Sequence, residues 1–456
     1  MNKICLSLLI WMLFFATNCK KDPAPLTQCS PEIGADNNLI QQQRILGKDG
    51  DQFEIRSLIA SGDGGLYYQG LFNEKQSGDY YTVIVGQNGS PDTIPAGLGN
   101  KKIYQFGKMD ADFNIIWAVS TNRSIQKIMA LGSNAGALSN GILVLIDDHV
   151  MLYDRNGNKL TEKDLEILNS VEFDYTRNIL WLSENSEEIS YMFTGSGLDQ
   201  MLPGFSTTFP CLIKFTVSKI DNSIQVVFKK FETTRPDYSY PYSAIDLFNS
   251  GRFIAGNGYN NSYFSAYDFD GNFLEYIPHF DIRRSTFLEK ARIIVTNIPG
   301  TTTISYLSST SIVTRNLASV DYSDYNQTSS KILVLGLDES ERSIHLKPGV
   351  LSVFDAYYNT AIEFNDKLYA IGQIRKRSND STICEFDHSG IEVFDIPSSN
   401  YLRRYNFAPA EITDKTSQFT QATLMGNYLF LVGTLNQPGQ SANQQVWLTK
   451  IPVSAL

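Results

Sequence analysis

Ala244-Ile-Asp-Leu-Phe-Asn-Ser-Gly-Arg-Phe-Ile-Ala-Gly256, followed by Tyr263-Phe-Ser-Ala-Tyr-Asp-Phe-Asp-Gly-Asn-Phe-Leu-Glu275, sets out a unit of four short segments. An apolar run ends in a polar pause, and a second run closes on Gly. A third then alternates aromatics and meets an Asp-Gly turn. Runs of this length, rich in β-branched and aromatic residues and bounded by turn formers, read as strands. The unit recurs as Ala361 to Gly372 with Thr382 to Phe394, and as Ala422 to Gly433 with Gln445 to Ile451. Weaker copies run from Ser57 to Phe72 with Tyr104 to Trp117, from Ile128 to Leu160, and from Val171 to Leu182 with Leu212 to Phe228. Residues 291–346 are the least regular stretch and have room for one more copy.

Four antiparallel strands repeated every ~40–60 residues form the blades of a β-propeller, in which a ring of sheets buries what one sheet cannot. The expectation is an all-β propeller over residues 51–456 with about seven four-stranded blades, six or eight also fitting the count. A pair of β-sandwich domains is the competing architecture. The pattern resembles the repeats of the quinoprotein, WD and kelch families. Their Gly-His…Trp-Asp pairs and Gly-Gly doublets are absent from the sequence, and Asp110-Ala-Asp-Phe-Asn-Ile-Ile-Trp117 echoes a quinoprotein blade turn once. Lys159 to Asn169 and Ser285 to Arg292 are the two segments expected as short helices.

The chain opens with Met1-Asn2-Lys3, an apolar run from Leu6 to Ala16, and Ala16-Thr17-Asn18-Cys19. A basic start followed by about a dozen apolar residues is a signal peptide, too short to stay as a spanning helix. Lys20-Lys21-Asp22-Pro23 after it cannot continue a helix. Residues 1–18 with Cys19 resemble the signal of bacterial lipoproteins, and the Cys-Lys-Lys-Asp start is similar to lipoproteins of the Bacteroidota. That resemblance implies cleavage before Cys19, acylation (palmitate among the chains) of Cys19, and an outer-membrane address, since Lys20 rather than Asp follows the cysteine. Surface display, which the group associates with an acidic cluster, has only Asp22 to support it. Residues 19–50, rich in Gln, Asn and Pro, read as a tether with an opening strand.

Charge narrows the function. With 38 Lys+Arg against 48 Asp+Glu the net charge is −10, which argues against nucleic-acid binding through phosphates and against adhesion to anionic lipid. Beyond Cys5 and Cys19 remain Cys29, Cys211 and Cys384, which fit either one bridge and one buried thiol or three buried small hydrophobes. His149, His279, His345 and His388 share no local ligand spacing, so neither a metal nor a cofactor is expected. Asp154 to Asn158, Asp268 to Asn272 and Asp387 to Gly390 read as tight turns rather than calcium loops, which alternate ligands over 12 residues and end in Glu. The doublets Arg283-Arg284 and Arg403-Arg404 and the run Arg375 to Arg377 read as solvated loop charge rather than as an anion clamp. Arg235-Pro-Asp-Tyr-Ser-Tyr-Pro-Tyr242 is a loop by its prolines, and Tyr238, Tyr240 and Tyr242 are its candidate binding residues for a sugar ring or a protein. No nucleophile elbow is present, and among 48 carboxylates none is singled out. The reading is a lipid-anchored propeller that binds an envelope protein or a glycan. The alternative is a propeller glycosidase or polysaccharide lyase with acids in the central channel.

Overall fold

The computed structural model describes residues 36–47, 52–73, 80–83, 92–95, 103–121, 123–132, 138–165, 178–197, 209–231, 244–249, 251–256, 264–277, 293–298, 301–307, 312–313, 331–335, 341–345, 354–376, 388–395, 400–408, 416–437 and 440–456. The chain begins with a short 3-10 turn, Asn37–Leu39, and strand β1 (Gln42–Leu46). Blade 1 follows: β2 (Gln52–Ala60) and β3 (Leu66–Asn73), an inserted hairpin of β4 (Tyr80–Val83) and β5 (Asp92–Pro95), then β6 (Ile103–Met109) and β7 (Ile115–Thr121). Blade 2 is β8 (Ile125–Ala130), β9 (Ile142–Ile146), β10 (His149–Tyr153) and β11 (Lys159–Asp164). Blade 3 is β12 (Asn178–Glu184), β13 (Glu188–Gly197), β14 (Phe209–Ser218) and β15 (Ile224–Phe231). Blade 4 is β16 (Ala244–Asn249), β17 (Arg252–Gly256), β18 (Phe264–Asp268) and β19 (Phe273–Ile277).

At the chain position of a fifth blade lie a three-stranded sheet, β20 (Ile293–Ile298), β21 (Thr301–Leu307) and β22 (Ile312–Val313), and a two-stranded one, β23 (Lys331–Leu335) and β24 (Glu341–His345). Blade 6 is β25 (Phe354–Phe364), β26 (Lys367–Lys376), β27 (His388–Asp395) and β28 (Asn400–Phe407). Blade 7 has the last three strands, β29 (Thr416–Met425), β30 (Tyr428–Gln437) and β31 (Gln440–Pro452); it needs a fourth, and β1 supplies it. β1 runs antiparallel to β31 from Gln42↔Lys450 to Leu46↔Val446. Trp447 Nε1 donates to Gln43 Oε1 at 3.1 Å, and Gln445 Nε2 to the Gly47 carbonyl at 3.0 Å. One parallel bridge, Gln52↔Gln444, then hands the chain to blade 1. The ring is therefore closed by the two ends of the described chain on one sheet.

From blade 6 through blades 7, 1, 2 and 3 to blade 4, the first strand of each blade packs against that of the next, which puts these strands at the axis. The fold is a β-propeller. Its hydrophobic core lies in wedges between blades rather than inside any one of them. Tyr67, Phe106 and Trp117 of blade 1 meet Ile128, Val144 and Tyr153 of blade 2, and the other face of the same β9 strand, Leu143 and Leu145, meets Ile189, Tyr191 and Phe215 of blade 3. Strands buried on both faces explain why Ile142-Leu-Val-Leu-Ile146 is a continuous apolar run and not an alternation. Each such aromatic or aliphatic side chain contributes about 1.5–3 kcal/mol on burial. Cys211 is a buried thiol in the wedge between blades 2 and 3; Cys29 and Cys384 lie outside the described residues.

Three expectations are corrected. The segment from Lys159, read as a short helix, is strand β11: its polar alternation suits the solvent-facing outer edge of blade 2, where tertiary pairing overrides the helix preference of Glu and Lys. Ser285 to Arg292 lies outside the described residues. His388, Ser389 and Gly390 do not form a turn; they open β27, with Gly390 opposite Gly372 of β26. The ring also begins before residue 51, because the opening strand expected within residues 19–50 is β1 and belongs to blade 7. Besides β1, Asp36 exchanges hydrogen bonds with the Asn406 backbone (2.7 and 2.9 Å), and Asn37 binds the Ala408 backbone in both directions, strapping blade 6 to blade 7.

Candidate functional site

Strand alternation divides the ring into two ends. In each four-stranded blade the first-to-second and third-to-fourth connections share one end, and the second-to-third and blade-to-blade connections share the other. Most connections at the first end are short, residues 131–141 of blade 2 being the exception, whereas the second receives most of the longer connections, including residues 198–208, 232–243 and 377–387. Tyr238, Tyr240 and Tyr242 belong to the connection from β15 to β16 and lie outside the described residues. Cys19 and the rest of residues 1–35 lie outside them as well.

At the tight-turn end one device recurs. Asp110, Asp154 and Asp268 each begin a third-to-fourth turn of the form Asp-x-(Asp/Asn)-(Gly/Phe)-Asn. Asp154 Oδ1 accepts from the backbone N–H of Asn156 and Asn158 (both 2.8 Å), and its Oδ2 from Asn158 Nδ2 (2.9 Å). Asp110 and Asp268 do the same with Asp112, Asn114 and with Asp270, Asn272. Partial burial works to raise these carboxyls, but the hydrogen bonds to the charged form outweigh it and hold all three below the usual Asp range. The fourth position is left-handed: Gly157 at φ 86°, Gly271 at φ 68° and Phe113 at φ 64°. Each turn docks on the preceding blade. Trp117 Nε1 of blade 1 donates to the Arg155 carbonyl at 3.0 Å, Lys230 of blade 3 reaches the Asp270 carbonyl and Asn272 Oδ1, and Phe113 meets Phe430 of blade 7 edge to face. The carboxylates are committed to the turns themselves, as the tight-turn reading of Asp154 and Asp268 expects.

At the axis every described four-stranded blade carries a bulge on its first strand, where the register with the second strand skips one residue: Arg56, Gln126, Leu182, Phe248, Asn359 or Thr420. Arg56 Nε pairs with Glu54 at 3.1 Å, and both amide atoms of Gln126 are buried without a protein partner. In blade 6, Glu392 is fully buried beside Arg404, whose Nε donates to Glu392 Oε1 at 2.7 Å. Burial pushes the Glu392 carboxyl up, and Arg404 opposes that rise. The expectation of solvated charge at Arg403-Arg404 is thus corrected for its second member, which faces inward on β28 and is register partner to Glu392. Sequence reasoning missed Glu392, because only the strand register sets the two side by side.

No protein-family model matches the chain, and no curated protein does. Among solved structures the chain is similar to Sqt1 of Saccharomyces cerevisiae, at 9% identity and a TM-score of 0.43, covering 90% of this chain and 98% of that one. It is similar to Sqt1 of Chaetomium thermophilum at 10% identity and a TM-score of 0.45, covering 90% and 100%. A Bacteroides caccae protein of unknown function is similar at 10% identity and a TM-score of 0.30 over 66% and 89%. At these values the fold assignment rests on the sheets themselves.

One group of possible metal ligands appears among the described residues. Asp148, His149 and Asp164 bring one ligand atom each to within 4.8 Å of one another, at the long-connection end of blade 2. Local spacing could not reveal it, because His149 and Asp164 are register partners across the β10–β11 hairpin. Its histidine is already engaged, with His149 Nδ1 2.8 Å from Glu162 Oε1 and Nε2 3.6 Å from Asp148 Oδ1, and beside the group Lys159 pairs with Glu162 at 2.7 Å and Arg123 with Asp147 at 2.6 Å. This is the chemistry of a surface ion-pair network on two strands.

Proposed function

We propose that the protein is an outer-membrane lipoprotein, acylated at Cys19, whose propeller serves as a rigid binding module for an envelope protein or a glycan. The observation that carries this reading is the segregation of connections. One end of the ring carries the self-satisfied Asp turns and, apart from residues 131–141, short connections, while most of the longer segments, with Tyr238, Tyr240 and Tyr242 among them, leave from the other. A rigid scaffold presenting variable connections at one end suits recognition. Ring closure through β1 supports the anchoring half of the reading, because a pull on the preceding tether would be borne by a completed sheet.

The test has two arms on the full-length protein. Radiolabelled palmitate should enter the wild type and not Cys19→Ala. A glycan array and an envelope-protein pull-down should give a ligand whose binding falls at least tenfold in Tyr238→Ala/Tyr240→Ala/Tyr242→Ala with an unchanged melting curve. Unchanged binding by that variant removes the tyrosines from the account, and release of reducing ends from a glycan would move the protein to the carbohydrate-active alternative.

A further inference from the structure

The third-to-fourth strand pairing slips by one residue in five blades, always on the outermost strand and near its start. The residues that the register skips are Ile116, Leu160, Val227, Leu274 and Leu402. All five are large aliphatics, and all are exposed, by 38% to 55%. Single exposed apolar residues need no explanation. The same side-chain class at the same structural position in five blades is different, because each blade is a separate stretch of sequence that could have carried Lys or Glu there, as edge strands usually do. Four of the five fall on consecutive blades, 1 to 4, and Ile220 in the blade 3 turn and Phe273 beside Leu274 add to the same arc.

Exposed charge on the turns of that arc is mainly acidic. Asp112 stands four residues before Ile116 and Asp270 four before Leu274, each beside a lysine of a neighbouring blade (Lys450 at 3.9 Å, Lys214 at 3.0 Å), and Asp63, Asp221 and Glu187 add exposed carboxylates, against Arg155, Lys159 and Arg252 as exposed bases on or next to these turns. Carboxylates interleaved with aliphatics disfavour an anionic lipid surface and a second copy of this acidic chain. They complement a basic surface that offers apolar side chains. The bulges disturb the edge ladder locally, so recognition there would run through side chains rather than by strand addition. We infer that the rim of the tight-turn end over blades 1 to 4 is a docking surface for a basic, apolar polypeptide segment. It is separate from the tyrosine-bearing end and does not depend on that reading.

The experiment uses the full-length protein and two fluorescent peptides of about 12 residues, one alternating Lys and Leu, the other Glu and Leu, with vesicles of neutral and anionic lipid as a third probe. The Lys-Leu peptide should bind, and the Glu-Leu peptide should not. Binding should weaken at least tenfold in Ile116→Ser/Leu160→Ser/Val227→Ser/Leu274→Ser. Because these side chains are exposed, the variant should melt with the wild type; Asp112→Asn/Asp270→Asn, which keeps every aliphatic, should weaken binding and flatten its salt dependence. Equal binding by the serine variant, equal binding of both peptides, rim-dependent binding to vesicles, or rim-dependent self-association in sedimentation would each overturn the proposal.

Discussion

A β-carbon on Gly157 would meet Cδ2 of Trp117 at 2.7 Å. The glycine belongs to the blade 2 turn and the indole to the last strand of blade 1, so this contact fixes how far apart two blades stand. Gly157 also holds φ at 86°, where a side chain is strained in its own right. Gly157→Ala should therefore cost about 2–4 kcal/mol from clash and backbone strain together. Gly426 provides the control: its φ is 59° but nothing lies within 4 Å of the added carbon, and Gly426→Ala should cost only about 1 kcal/mol. Urea unfolding of the two variants separates packing from strain.

Acid should loosen the turns in a defined window. Hydrogen bonds from Ser218 and Ser223 hold the Asp221 carboxyl down at about 2, against a free value of 3.8. Asp110, Asp154 and Asp268 are lowered as well. A depressed folded value means that the stabilisation is complete above the free value and is lost as pH falls through the folded one. The urea midpoint should thus hold from about pH 7 to about 4 and then decline. Asp154→Ala should lower the plateau by about 1–2 kcal/mol and make the decline shallower.

The buried pair in blade 6 should behave asymmetrically. Arg404→Leu leaves Glu392 in an apolar setting without its cation and should destabilise by about 3–5 kcal/mol. Replacing both, as Glu392→Leu/Arg404→Leu, should recover most of that loss, since two charges no longer need desolvation. Thermal unfolding of the wild type, both single variants and the double variant gives the coupling energy directly.

Truncation tests the N-terminal strap. A chain lacking residues 1–35 retains Asp36, Asn37 and β1 and should melt with the intact protein. One lacking residues 1–47 loses the fourth strand of blade 7 and the contacts of Leu39, Ile40 and Ile45 with the core between blades 6 and 7. It should melt well below the first and with a broader transition.

The repeat is legible in the sequence because each blade needs strands that bury both faces and turns that reverse sharply. Runs such as Gly141 to Ile146 and turns such as Asp268 to Asn272 carry those demands locally. What sequence reasoning misses is non-local. Gln42-Gln-Arg-Ile-Leu46 is polar because it is an outer strand buried on one side only, and its partner lies at the other end of the chain. The bulges at Ile116 and Leu160 break the two-residue period, which makes Lys159 onward resemble a helix. Asp387 to Gly390 imitates a turn because small residues also suit a strand where Gly372 and Gly390 face each other. The His149–Asp164 and Glu392–Arg404 pairings exist only in the hairpin registers. The loop carrying Tyr238, Tyr240 and Tyr242 rests on its prolines, and the binding variant under the proposed function is its test.

Closure of the ring by β1 is the claim on which the rest depends, and a single engineered bridge addresses it. Gln42 and Lys450 are register partners. In Gln42→Cys/Lys450→Cys, peptide mapping after oxidation should find a 42–450 disulfide within monomeric protein, together with a raised melting temperature. A bridge that forms only between chains, or none at all under conditions that oxidise a control dithiol, would contradict it.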